Sequence, residues 1–252
     1  MLSEQTEKIS PESQDVPAVS QGPEVMKKSS QAPRQDAHAR ADMYAFFAAV
    51  YLRPPTPSLM RYLLAENFLE ELTSLFGEEI VADLRKIAAD TYPDSDFAAV
   101  DQEYMSLFAV PTGRYVTPFE DVYRGIGSEG MLQRGPLLGE RAIAARRKYR
   151  AAGADMDREC RELPTHIGVE LAYMSFLCER QAAEMDDDEQ KIAADGDRYR
   201  ELQIRFLREH LNNWFPQLNQ TIQANAKSSF YRGMARITAV FLDHDTARLL
   251  AF

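Results

Sequence analysis

From about Ala39 to the C-terminus, apolar residues recur at three- and four-residue intervals, and no convincing pair of alternating stretches interrupts them. That rhythm predicts helices, because side chains three and four apart share one helical face. Asp42 to Leu52 (DMYAFFAAVYL) forms the first and is halted by Arg53-Pro54-Pro55, since proline lacks an amide and restricts the residue before it. Thr56-Pro57 reads as an N-cap followed by proline at the first helical position, opening a helix to about Leu64. Phe68, Leu69, Leu72, Leu75 and Phe76 carry the rhythm to Gly77, and another helix runs to about Thr91. Ser95 is expected to cap SDFAAVDQEYMSLFAV, in which Tyr104, Leu107 and Phe108 fall on one face.

The rhythm lapses over residues 111–135. Within that stretch Thr117-Pro118-Phe119-Glu120 predicts a short capping box, with Thr117 as the cap. A helix from about Pro136 to Ala152 should close on a left-handed Gly153. Asp155 to Glu162 reads as a polar linker into LPTHIGVELAYMSFLCERQAAEM, a helix with Ile167, Leu171, Met174 and Cys178 on one stripe. After an acidic run, Asp186 to Glu189, three or four more helices finish the chain. Residues 1–38, rich in Ser, Gln, Pro and Glu, hold too few apolar side chains to bury a core and are expected to form a disordered tail. The expected architecture is all-α: a tail (1–38), an N-terminal helical half (39–153) and a C-terminal helical half (154–252), hinged around 153–165.

Composition narrows the function more than the fold. At 252 residues, 45% hydrophobic and 27% charged, the chain suits one large or two small packed domains. A net charge of -10 disfavours nucleic acid and suits a cationic partner. No apolar run reaches the roughly 18 residues of a membrane span. Lys27 and Lys28 are followed by polar residues rather than a secretory core, so no export signal is expected. Cys160 and Cys178 are too few for a disulfide framework, which fits a reducing cytoplasm.

The residues 125–130, GIGSEG, match the spacing of a dinucleotide-binding loop, but such a loop follows a strand and opens a helix. Here a capping signal precedes it and Gly135-Pro136 follows, so it reads as a loop whose glycines permit a turn or movement. No P-loop or kinase motif is present. His38, His166, His210 and His244 show no close metal-ligand spacing, and Asp243-His244-Asp245 has no nucleophile motif beside it. Neither catalysis nor a bound metal or cofactor is expected.

Three segments carry a stronger signal: YMSLF at 104–108, PFEDVY at 118–123 and ELPTH at 162–166. In that order they closely resemble the signatures of the TorD/DmsD/NarJ-type redox enzyme maturation chaperones, over about residues 39–252. The resemblance implies a TorD-like helical bundle and a cytoplasmic chaperone that binds the twin-arginine signal peptide of a molybdenum or tungsten oxidoreductase in its apo-form. It also implies a role in cofactor insertion before export or assembly, with the insertion machinery as a further partner, and a monomer or domain-swapped dimer. Where the family has Asp, this chain has Thr165, whose hydroxyl is expected to cap the helix that follows.

A signal peptide is a basic patch followed by an apolar stretch, so its receptor should offer an apolar groove rimmed with acid. Tyr104, Leu107, Phe108, Pro118, Phe119 and Tyr123 are expected to floor that groove. Glu120, Glu162, Pro164, Thr165, His166 and Glu170 are expected near its rim, with His166 able to titrate near neutral pH. A guanine-nucleotide switch and a generic helical scaffold remain as alternatives.

Overall fold

A computed structural model of the chain describes residues 23–90, 97–111, 113–124, 137–156, 161–187 and 192–251. The GIGSEG loop, the Ser95 cap, Cys160 and the far end of the acidic run lie outside the described residues, as do residues 1–22. Among the described residues the secondary structure is helical, apart from one isolated β-bridge between Phe119 and His166.

Helix α1, Pro23–Leu52, begins well inside the stretch that composition assigned to the tail. Its residues Ala37, Ala41, Tyr44, Phe47 and Tyr51 are buried. Partners far along the chain cover apolar positions whose local composition is too polar to signal a core. The next helices follow the expected punctuation. Thr56 Oγ1 accepts from Leu59 N at 3.2 Å and caps α2, Pro57–Leu63. Helix α3, Glu66–Phe76, stops at Gly77, and α4 spans Glu78–Asp90. Helix α5, Ala98–Tyr104, continues into a π-helical turn, Met105–Ala109.

Helix α6, Glu120–Tyr123, is a single turn, and α7 occupies Glu140–Ala151, starting four residues later than proline placement suggested. At the end of α7, Gly153 takes φ 82°, the left-handed geometry expected there. Helix α8, Ile167–Asp187, is followed by α9, Ile192–Phe206, a second π-helical turn, Leu207–Leu211, then α10, Asn212–Asn225, and α11, Ser229–Leu250.

Helix α1 runs antiparallel to α8: Ala41 O accepts from Ser175 Oγ at 2.8 Å, and Ala48 and Leu52 approach Gly168. That approach needs a glycine, because a Cβ at 168 would lie 2.5 Å from Leu52 Cγ and 3.1 Å from Ala48 O. On its other side α1 meets α11 through Tyr51 with Thr238 and Tyr44 with Asp245. Helix α4 also packs on α11, where Arg236 pairs with Asp83 at 2.8 Å. Helices from both sides of residues 153–165 therefore share one core, with Tyr51, Phe108, Tyr231 and Phe215 in edge-to-face contact across it.

One buried ion pair locks the α1–α11 contact. Arg40 donates to Asp245 from Nε at 2.5 Å and from Nη2 at 2.8 Å, and Nη2 also reaches Gln203 Oε1 on α9 at 2.6 Å. The Asp243-His244-Asp245 stretch is thus structural at its last residue. Asp245→Ala would leave the guanidinium buried without its counter-ion, a loss of about 3–5 kcal/mol in urea unfolding followed by helical circular dichroism. A loss below about 1 kcal/mol would mean that Arg40 escapes to solvent.

Candidate functional site

The site forms where two segments distant in sequence are zipped together. Glu120 N donates to Thr165 O at 2.9 Å and Ile167 N to Pro118 O at 2.8 Å, an antiparallel bridge centred on Phe119 and His166. The Phe119 and His166 rings meet edge-to-face at 5.3 Å. Two of the segments singled out in the sequence, PFEDVY and ELPTH, are therefore direct neighbours.

The bridge changes two expected caps. Phe119, not Thr117, occupies the cap position of α6, without a side-chain capping bond, because its extended backbone is held by the bridge. Thr165 does not cap α8: its hydroxyl donates to Asp121 Oδ2 at 2.7 Å, tying α6 to the start of α8. The capping role falls to His166, whose Nδ1 accepts from Gly168 N at 3.0 Å. Buried and engaged in this way, His166 is pushed down to about 3, so the expected titration near neutral pH is replaced by a neutral imidazole.

Beneath the bridge lies a buried polar cluster. Glu120 is fully enclosed; its Oε2 lies 2.7 Å from His210 Nδ1 and its Oε1 2.7 Å from Arg124 Nη1, with Arg141 at 3.8 Å. Burial pushes this carboxyl up, but the hydrogen bonds and charges of His210 and Arg124 outweigh it and hold Glu120 below its ordinary range. Glu170, one turn into α8, is equally enclosed and accepts from Trp214 Nε1 at 2.9 Å through Oε2. Burial and the neighbouring Glu120 charge push Glu170 well above the usual carboxylate range. Its Oε1 has no hydrogen-bond partner among the described residues.

Glu120, Glu170 and His210 each place one donor atom within 4.8 Å of the others, a set from which a metal could draw ligands. Their positions, 50 and 40 residues apart, explain why no ligand spacing showed in the sequence. His210 was not among the expected site residues. It sits in the π-helical turn Leu207–Leu211, whose wider winding has no clear apolar signature, and stacks on Phe206 at 4.5 Å.

The expected groove is mostly core. Tyr104, Leu107, Phe108, Pro118, Pro164 and Thr165 are buried, as are the proposed rim residues Glu120, His166 and Glu170. Tyr104 donates to Tyr51 O at 3.1 Å, and its ring packs on Phe108 at 5.5 Å. The apolar face of YMSLF serves the bundle interior, which competes for it more strongly than a surface groove does. Phe119, Tyr123 and Glu162 stay partly exposed. Tyr115, which carries no motif, joins them: burial and the Glu162 charge both raise its hydroxyl pKa. Tyr123 packs on Trp214 at 5.5 Å.

A family model described as nitrate reductase delta subunit matches residues 70–220. Among curated proteins, the chain is 25% identical over 154 residues to the chaperone protein TorD of Photobacterium profundum, covering 59% of this chain and 62% of that protein. It is 28% identical over 127 residues to the selenate reductase assembly chaperone protein of Thauera selenatis, covering 50% and 58%. To the perchlorate reductase assembly chaperone protein of Dechloromonas aromatica it is 27% identical over 151 residues, covering 60% and 62%. The chain thus spans less than two thirds of the length of each of these three relatives.

The Glu170 carboxyl gives a pH test. A raised folded pKa means that its contribution is complete below the ordinary carboxylate value and is lost as pH climbs towards the folded value. Glu170→Gln stays neutral and keeps an acceptor for Trp214. Between about pH 5 and pH 8, the thermal midpoint of the native protein should fall relative to that of the variant. Parallel curves would show that Glu170 titrates normally.

Proposed function

We propose that this chain, which belongs to the nitrate reductase delta subunit family of TorD/NarJ-type chaperones, is a cytoplasmic chaperone for a molybdenum or tungsten oxidoreductase. It binds the client's N-terminal twin-arginine signal peptide and holds the apo-form for cofactor insertion before export or assembly. The relatives' names support an assembly role for a reductase client. No helix among the described residues is long and apolar enough to cross a membrane, consistent with a chaperone that meets its client before translocation.

One observation carries the peptide reading. Glu162 is 38% exposed in its side chain, and the basic group recorded beside it is His166 Nε2 at 3.9 Å. That imidazole is neutral, so the Glu162 carboxylate has no cation to pair with among the described residues. Partial burial already pushes its pKa up, which a bound guanidinium would reverse. The half-exposed rings of Tyr115, Phe119 and Tyr123 lie along the same zipped segments and suit the apolar stretch that follows the arginines. This acceptor surface is smaller than the groove drawn from sequence, and it is wet at one edge.

Calorimetry with a synthetic twin-arginine peptide tests the assignment. Saturable binding should weaken about tenfold in Glu162→Gln, the scale of one partly exposed charge-assisted hydrogen bond. A comparable loss should follow when both peptide arginines become alanine. His166→Ala should leave the pH dependence between about pH 6 and 8 unchanged, because the ring is neutral throughout. Binding indifferent to both the arginines and Glu162, or tight binding of GTP in place of peptide, would reject this function.

A further inference from the structure

Helix α7 carries charge opposite in sign to the chain as a whole. It holds Arg141, Arg146, Arg147, Lys148 and Arg150 against one acid, Glu140, a net of +4 in a protein of net -10. Its inward stripe of Ala142, Ala145 and Tyr149 is buried, and Tyr149 donates to Pro164 O at 2.6 Å, so the helix cannot roll. Two of the cations face acids of the protein: Lys148 pairs with Glu209, and Arg141 stands 3.8 Å from Glu120. Arg146, Arg147 and Arg150 are exposed and make no ion pair among the described residues.

Beside these cations stand three aliphatic side chains, Leu137, Leu138 and Ile143, exposed by 50%, 63% and 52%. Leu138 is held at φ 64°, a conformation unfavourable for leucine, and no burial offsets it. Protruding aliphatics flanked by unpaired arginines distinguish between partners. A partner helix needs a recess to receive its anchors. A bilayer takes side chains that stand out of the surface, while its anionic headgroups attract the arginines.

We propose that the outer face of α7 is a docking surface for an anionic lipid membrane. Leu137, Leu138 and Ile143 enter the headgroup boundary, and Arg146, Arg147 and Arg150 pair with lipid phosphates. The contact is peripheral and reversible, because three aliphatic side chains are far short of an anchor. It is independent of the signal-peptide site: this face repels a basic peptide, which Glu162 attracts.

Flotation of the full chain with phosphatidylcholine vesicles, with or without about 30% phosphatidylglycerol, tests the proposal at ionic strengths near 0.1 M and 0.5 M. Binding should appear with phosphatidylglycerol at low salt, and be at least about tenfold weaker in its absence or at high salt. The triple variant Arg146→Glu, Arg147→Glu, Arg150→Glu should lose about 100-fold or more of that affinity. Its melting midpoint should stay near native, since the replaced groups are exposed. Leu138→Asp should weaken binding independently of the triple variant, and Arg53→Glu with Arg61→Glu, exposed just after α1 and on α2, should leave it unchanged. No binding to phosphatidylglycerol vesicles, equal binding to phosphatidylcholine alone, or indifference to the triple reversal overturns the proposal. Capture of poly-glutamate without vesicle binding overturns it too, and assigns the face to an acidic protein.

Discussion

Two backbone hydrogen bonds, Glu120 N to Thr165 O and Ile167 N to Pro118 O, hold together most of what is distinctive in this molecule. Helix α6 is one turn long and could not persist alone, since a single turn orders several residues for little return. Clamped to the start of α8, it becomes a rigid corner. The clamp puts Glu120 beside Glu170, turns Thr165 towards Asp121 and leaves His166 to hold the amide of Gly168. It also leaves Phe119 and Glu162 at the edge of the same corner, where solvent and a ligand can reach them.

The bundle depends equally on how it handles charge. Buried Arg40 is matched by Asp245 and buried Glu120 by Arg124, Asp121 accepts from the Thr165 hydroxyl, and burial pushes the Glu170 carboxyl well above its usual range. Apolar stripes attract helices to one another but fix their register weakly. A buried ion pair is satisfied in one register only, so these groups select a single packing more than they add stability. Among the described residues, two sets of surface charges without an ion-pair partner differ in sign. A lone carboxylate stands at the zipped corner, and three lone arginines stand along α7. Two surfaces of opposite charge thus stand on one small protein, as the two proposed contacts, with a basic peptide and with an anionic lipid surface, require.

Much of the helical layout was legible along the chain. Thr56-Pro57, Gly77 and Gly153 act through local geometry, so their effects could be read without knowing what lay beside them. The stripe of Ile167, Leu171, Met174 and Cys178 is wholly buried, as its spacing required. Misreadings arose where a distant segment outbid a local signal. Thr117 and Thr165 have good capping chemistry, but the bridge and Asp121 claim the backbone and the hydroxyl first. The N-terminal part of α1 looks solvated because its sequence is polar, yet it is helical from Pro23 and buries Ala37.

The sequence by itself determined an all-helical chain, the order of its helices, its acidic balance and the family its motifs point to, because periodicity, punctuation and short motifs are local properties. Only the tertiary structure decided which motif residues are core and which are surface. Tyr104, Leu107 and Phe108 face inward because Tyr51 and Tyr231 complete their packing, and the Glu170 carboxyl is pushed well above its usual range by burial and by the Glu120 charge folded against it. Solvent exposure and protonation are set by neighbours in space, and those neighbours come from residues fifty or more positions away.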